Sequence, residues 1–468
     1  MSEPKTMLDK IWDLHTIEKL EGGSYLISID RCYVHDLGGP MVARLLKNSG
    51  YRPYDSNQVI ATCDHTVSSL PERTEESTLA SKAYLPIFNE MCSEYSITEY
   101  RLGHPKQGIV HVIGPELGLS LPGMTIICCD SHTCTHGALG ALAWGVGTTD
   151  LYHGIATQTM VVKKPKSMRV NIEGAYDPAC IDPMDIILYT ISQLGTDFGN
   201  GYSIEFAGSV VRQLEIEDRM TLCNLSVEFG SEYGFIAPDD KTYEYIKGRE
   251  YAPKGEELEA MIAHCRALVT DEGAAFDKEV MVDITGIPPQ ISWGISPSHT
   301  IGLDGHIPLS EKEMVPTDKN AYQKAISYMD FTPGQPIEGV KIDRVFIGSC
   351  SNGRISNLKR VAAVVKGKKV APHVEAWIVS GSEKVKREAE ELGLDVIFQE
   401  AGFMWGAPAC SLCSGSSGEK VSPFSRCVST TNRNFVGRQG PNVRTHLASP
   451  TTAAYAAITG KISAVGRV

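Results

Sequence analysis

Short apolar runs punctuate the first third of this chain, and two of them end on a carboxylate beside an imidazole. The runs lie at 25–29, 59–62, 109–113 and 124–128, and they alternate with a helical stretch at 81–95 and a Gly/Ala-rich helix expected from Gly137. Apolar runs of four or five residues bounded by turn signals read as strands buried on both faces, and interleaving them with amphipathic helices gives an α/β layered sheet. A second unit opens with a strand at 167–173. It continues through a helix at 182–194, a strand at 202–206 and a helix near 220–229. The stretch 286–317 carries Pro288, Pro289, Pro297, Pro308 and Pro316 with no periodicity, and reads as an irregular crossing. Beyond it a third α/β unit begins near Ala321. The expected units are 1–165, 166–283 and 284–468.

In open α/β sheets ligands gather beyond the carboxyl ends of the strands. Asp64-His65 follows one such end, and Asp130-Ser131-His132 follows another. A carboxylate orients an adjacent imidazole and raises its proton affinity, which suits general acid chemistry. His111 follows the apolar 108–110. Asn224 and Glu228 are four apart in an otherwise apolar stretch, so one helix would place both on one face. Asn432, Arg433 and Arg438 lie in a turn-rich segment, and arginine forks match carboxylates in bidentate geometry.

Three further residues carry a different chemistry. Cys350 sits in Gly348-Ser349-Cys350-Ser351-Asn352-Gly353 directly after an apolar strand, and Cys410 and Cys413 form a C-x-x-C among glycine, alanine and serine. The small neighbours let backbone approach a bulky inorganic group closely. A C-x-x-C can also be a redox pair. As metal ligands, one thiolate plus a pair is one short of a closed tetrahedral site and leaves a corner open.

Composition narrows the partners. The chain has 468 residues, 42% of them hydrophobic and 21% charged, with a net charge of −12, enough for a multidomain core. That balance speaks against nucleic acid, which needs a basic surface, so an anionic substrate calls for locally placed arginines. Thirteen cysteines include the adjacent Cys128 and Cys129 and do not form a secreted disulfide framework. There is no apolar leader at the N-terminus and no run near the ~20 residues that span a bilayer, so a cytoplasmic protein with no membrane partner is expected. Asp197-Phe198-Gly199 spells a kinase triplet without any other kinase signature, and is coincidence.

Eleven segments in one order resemble the aconitase superfamily, most closely its bacterial 3-isopropylmalate dehydratase large subunits. They are Tyr33-Val34-His35-Asp36, Thr62-Cys63-Asp64-His65, Gly108-Ile109-Val110-His111, Leu121-Pro122-Gly123-Met124-Thr125, Asp130-Ser131-His132-Thr133, and residues 219–224, 270–274, 348–350, 410–413, 432–435 and 445–447. The resemblance implies a three-domain α/β/α arrangement around a central iron–sulfur cluster, lacking a C-terminal swivelling domain. It implies one [4Fe–4S] cluster per chain, held by Cys350, Cys410 and Cys413 through three irons, with the fourth not ligated by protein. Asp64, His65, His111, Asp130, His132 and Glu228 would be catalytic; Ser131, Asn224, Asn432, Arg433 and Arg438 would bind substrate. The implied reaction interconverts 2-isopropylmalate and 3-isopropylmalate by dehydration and rehydration, in leucine biosynthesis. A small subunit would bring the swivelling domain and its base. Citraconate or 2-methylmalate, dimethylmalate and homoaconitate-like acids are the alternative substrates. Departures from the usual pattern cluster near the cysteines: Ser351-Asn352-Gly353-Arg354, Ala409, the 414–418 serine/glycine run, and Val436 in place of a usual glutamate. They bear on the substrate's alkyl group.

Overall fold

A computed structural model of the chain describes residues 3–315, 319–464 and 466. Three parallel sheets organise it. The first runs Thr98–Tyr100, Val59–Thr62, Arg31–His35, Thr125–Cys128, Leu142–Gly145 in spatial order. The second runs Tyr233–Phe235, Tyr202–Ala207, Lys166–Glu173, Lys278–Asp283. The third runs Met404–Gly406, Glu375–Val379, Arg344–Ile347, Arg426–Ser429, Arg444–Leu447. Central strands Val59–Thr62 and Arg344–Ile347 are buried at every position, as parallel strands covered on both faces must be. An antiparallel sheet of Thr16–Lys19, Ser24–Ser28 and Thr159–Lys163 completes the N-terminal part. No helix among the described residues is long and apolar enough to cross a membrane.

Helix ends follow local chemistry. Pro183–Leu194 starts with Pro183 at its first turn and a reciprocal cap between Asp182 and Asp185, as a D-P start predicts. Four sequence expectations are corrected. The apolar 109–113 run is not a strand but opens the helix Val110–Leu117, because the Val110 N–H is capped by Asp64 Oδ2 at 2.9 Å, a partner no local pattern reveals. No helix starts at Gly137. The chain instead makes a 3-10 helix over Ser131–Leu139 and then the strand Leu142–Gly145. At Gly137 a side-chain carbon would lie 2.0 Å from the Gly234 carbonyl oxygen, so close passage of the two backbones dictates the residue. The 286–317 crossing holds a small antiparallel pair, Gln290–Ser292 with Thr300–Gly302, whose three residues each are too few to show a period. Asn224 and Glu228 do not share one α-helix: Ile216–Asn224 ends at Asn224 and Leu225–Phe229 continues as 3-10 turns.

Candidate active site

The carboxyl ends of neighbouring strands in the first sheet deliver His35-Asp36, Asp64-His65 and Asp130 to one place. Asp36 is fully buried and organises the turn beside it. Its Oδ1 accepts the backbone N–H groups of Asp64 and His65, each at 3.0 Å, and its Oδ2 accepts that of Thr66 at 2.8 Å and the Thr66 hydroxyl. So fixed, Asp64 holds His65 Nδ1 at 2.5 Å through one oxygen while the other caps Val110. Sequence reading gave Asp36 no role, although it stands at a strand end just as Asp64 does.

Asp130 is the hub. Its Oδ2 lies 3.1 Å from His65 Nε2, and its Oδ1 lies 2.9 Å from His111 Nε2 and 3.5 Å from His132 Nδ1. The same Oδ1 accepts the His132 N–H at 2.7 Å, capping the 3-10 helix. Burial acts to raise the Asp130 carboxyl, but His111, His132 and His65 together hold it well below the ordinary carboxylate range. His65 goes the other way: against its burial, the carboxylates of Asp64 and Asp130 hold its imidazole well above the usual value.

Behind His111 runs a buried chain that the sequence did not disclose. His111 Nδ1 is 3.1 Å from His136 Nε2, His136 Nδ1 is 2.8 Å from Ser120 Oγ, and Ser120 Oγ is 2.7 Å from the Tyr33 hydroxyl. Burial holds His111 and His136 below the ordinary imidazole value, so each ring carries one hydrogen. An ionised carboxylate only accepts, so the His111 hydrogen belongs on Nε2, 2.9 Å from Asp130 Oδ1 but too poorly aligned there for a regular hydrogen bond. The remaining donors then have one arrangement: Tyr33 to Ser120, Ser120 to His136, His136 to His111. Gly114 makes room, since a side-chain carbon there would lie 2.6 Å from the His136 ring and 2.7 Å from the Tyr33 oxygen.

On the opposite side Glu228 Oε1 accepts from His132 Nε2 at 2.9 Å and from Arg433 Nε at 2.8 Å, while Arg433 Nη2 reaches Ser131 Oγ at 2.9 Å. Burial opposes ionisation of Glu228, but His132 and Arg433 hold it below its ordinary value. Arg433 is thereby set in one orientation with donors to spare, and its side chain keeps 27% exposure. Arg438 stands apart from this network. Its guanidinium lies 5.4 Å from the Phe435 ring centre, in the surface turn.

Cys350, Cys410 and Cys413 are buried and free of disulfides. Asn432 spans two of them, with Nδ2 3.7 Å from Cys350 Sγ and Oδ1 3.2 Å from Cys413 Sγ, and Asn224 Nδ2 lies 3.2 Å from Cys350 Sγ. Cys410 Sγ lies 3.9 Å from His65 Nδ1, which joins the thiols to the Asp/His group. Ser349 (φ 74°) and Ser411 (φ 48°), each next to a cysteine, adopt left-handed backbone rare for residues with a side chain. Arg354, 2% exposed, pins the first loop through the carbonyls of Cys350 at 2.5 Å and Ser351 at 3.3 Å, and reaches the His111 carbonyl at 3.2 Å. Burial drives the Cys350 and Cys410 thiols far above the ordinary value, so they ionise only against a cation brought to them. Three soft sulfurs so placed, with amide donors to sulfur, fit an iron–sulfur group.

Comparison with known proteins gives the family. The sequence profile of the Aconitase family (aconitate hydratase) matches residues 9–460. The chain is 48% identical over 461 residues to the 3-isopropylmalate dehydratase large subunit 1 of Bradyrhizobium diazoefficiens, covering 98% of this chain and 96% of that one. The holo-form crystal structure of Thermococcus kodakaraensis aconitase X superposes with a TM-score of 0.48 at 13% identity, over 92% of this chain and 88% of that one. With a profile match from residue 9 to residue 460, the chain belongs to the aconitase family.

Proposed function

We propose that this chain is the large subunit of a hydro-lyase that interconverts 2-isopropylmalate and 3-isopropylmalate, working with a small subunit that carries a swivelling domain. The observation that carries the reading is 48% identity along 98% of the chain to a protein bearing that large-subunit name. Cys350, Cys410 and Cys413 would hold a [4Fe–4S] cluster through three irons, which supplies a Lewis-acidic iron toward the substrate hydroxyl when bound. We further infer units at 1–165, 166–283 and 284–468, supported by one parallel sheet in each.

The chain's own residues divide the rest of the work. Dehydration removes a hydrogen from one carbon as a proton and the hydroxyl from its neighbour as water, so one group must accept a proton while another donates one. His132 lies between Asp130 and Glu228 and can pass a proton to the leaving oxygen. His65, kept charged by Asp64 and Asp130, is the second donor on that side. Arg433, oriented by Glu228 and Ser131, receives a substrate carboxylate, and Asn224 and Asn432, which meet each other beside the Cys350 sulfur, bind the substrate with it. Arg438, in the outer turn, would bind the far carboxylate. The base for the carbon-bound proton is assigned to the small subunit.

The test is an anaerobic substrate panel with the reconstituted chain and its cognate small subunit. Isopropylmalate is expected to turn over fastest and the isolated chain not at all. Full activity without the small subunit would refute the divided site. Preference for citraconate, 2-methylmalate, dimethylmalate or a homoaconitate-like acid would reassign the substrate, because a methylene-scale difference in a pocket is worth only ~1–3 kcal/mol.

A further inference from the structure

Beside the catalytic carboxylates lies a thiol that the hydro-lyase reading does not use. Cys129 precedes Asp130 at the end of the strand Thr125–Cys128, and unlike most cysteines of the chain it is partly exposed. Its Sγ lies 3.5 Å from His35 Nε2, and the ligand atoms of His35, Cys128 and Cys129 all fall within 4.8 Å of one another. Three soft donors this close could hold a metal ion. The imidazole tautomer argues otherwise: His35 Nδ1 accepts the Leu37 N–H at 3.3 Å, so the ring hydrogen sits on Nε2, which lies 3.3 Å from the Cys129 carbonyl oxygen and 3.5 Å from its sulfur.

A second feature favours negative charge on that sulfur. Cys129 Sγ packs against Gly38, the N-cap of the 11-residue helix Gly39–Ser49, and a side-chain carbon at Gly38 would lie 2.1 Å from it. The positive end of a helix and an imidazole N–H are the environments that ionise cysteines. Consistent with this, the Cys128 thiol first, and then His35, hold Cys129 well below the ordinary thiol value, against its burial and the charge of Asp130. His35 in turn stacks on His65, ring centres 4.1 Å apart.

We propose that Cys129 is a reactive thiolate and a site of covalent modification by low-molecular-weight disulfides, one residue from the catalytic Asp130. The thiolate attacks one sulfur of R–S–S–R. A Cys129 S–S–R bond forms, the original S–S bond breaks and RS⁻ leaves, so Cys129 is oxidised, one thiolate equivalent is released, and no proton is needed. The adduct would occupy the mouth of the His35/His65/Asp130 group and stop turnover. That last consequence rests on the proposed function, whereas the thiol chemistry does not.

The two are separable by experiment. Anaerobic holoprotein is treated with limiting iodoacetamide from pH 6 to 8, and each cysteine is followed by peptide mass mapping. Cys129 should be labelled first, at a rate nearly flat across that range, while an ordinary thiol gains about fifty- to a hundredfold from its rising thiolate fraction. Cys129→Ser should remove the fast label and leave the others. Hydroxyethyl disulfide should add one mixed disulfide at Cys129 and abolish turnover, reversibly with dithiothreitol, in the wild type but not in Cys129→Ser. A Cys129 that stays unlabelled in the native protein, or that labels with the steep slope of an ordinary thiol, overturns the proposal. A labelled Cys129 with no loss of turnover leaves the modification site standing and overturns its placement in the active-site mouth.

Discussion

Ser120 is the residue on which the buried chain behind His111 turns. It makes two side-chain hydrogen bonds, to His136 at 2.8 Å and to Tyr33 at 2.7 Å. Ser120→Ala strands both partners in a site where Ser120 and Tyr33 are 0% exposed, and an orphaned buried polar group costs ~1–3 kcal/mol, so the expected loss is ~2–4 kcal/mol. Tyr33→Phe removes one donor but leaves Ser120 paired with His136, and should cost ~1 kcal/mol. The double variant strands only His136. It should therefore be no worse than Ser120→Ala alone, giving a coupling of ~1–2 kcal/mol within the range seen for contacting pairs. Urea unfolding of the anaerobic chain measures all four corners of the cycle. Additivity of the two single losses within ~0.5 kcal/mol would refute the directed chain. Turnover in the assembled enzyme should fall with Ser120→Ala, since His136, the ring against which His111 rests, loses its own anchor.

Other outcomes follow from the same geometry. Cys350→Ser, Cys410→Ser and Cys413→Ser should each lose bound iron and brown colour after anaerobic reconstitution, whereas Cys128→Ser should keep both; full colour in Cys410→Ser would contradict the ligand set. Asp36→Asn keeps the shape but turns one acceptor into a donor facing N–H groups, so a stability loss of ~2–4 kcal/mol and a marked fall in turnover are expected, read by urea unfolding and steady-state rates. The remote pair His15–Asp30, 2.8 Å apart, gives a pH test of stability. Asp30 raises His15 above the ordinary imidazole value against burial, a contribution whole below about pH 6.5 and lost as pH rises through the folded value; His15 lowers Asp30, a contribution present above about pH 4 and lost as pH falls through the folded value. His15→Gln should therefore cost most between about pH 4 and 6.5 and little at pH 9, and an equal cost at pH 5.5 and 9 would contradict the pairing.

Much of the site was legible because its chemistry stands where the sequence is punctuated. Asp64, Asp130 and Cys350 each follow a short apolar strand within three residues, so the strand end could be read and with it the ligand side of the sheet. What stayed hidden depends on partners far apart in sequence. Tyr33 and Ser120 are 87 residues apart, and Asp36 acts on a turn 28 to 30 residues away. The helix Val110–Leu117 escapes a local pattern for the same reason: its cap is Asp64, 46 residues earlier. Arg433 and Arg438 are told apart by their partners rather than by residue type. Both are turn arginines five apart, yet only Arg433 meets the acidic group, because Glu228 and Ser131, 205 and 302 residues away in sequence, reach it.

The connections through Asp64 explain why the site is built around paired acids rather than isolated histidines. Asp36 fixes the turn that carries Asp64; Asp64 holds His65 with one oxygen and caps the helix bearing His111 with the other; His65 and His111 then meet on Asp130. Each carboxylate thus sets the position of an imidazole and the proton it keeps, and a shift in one strand end is felt by both donors at Asp130. Such a design buries its carboxylates, which costs free energy unless each finds several donors. Asp36 has four hydrogen bonds and Asp130 has three imidazoles. The three cysteines have no comparable set of cationic partners among the described residues, and leave that compensation to the iron–sulfur group they fit.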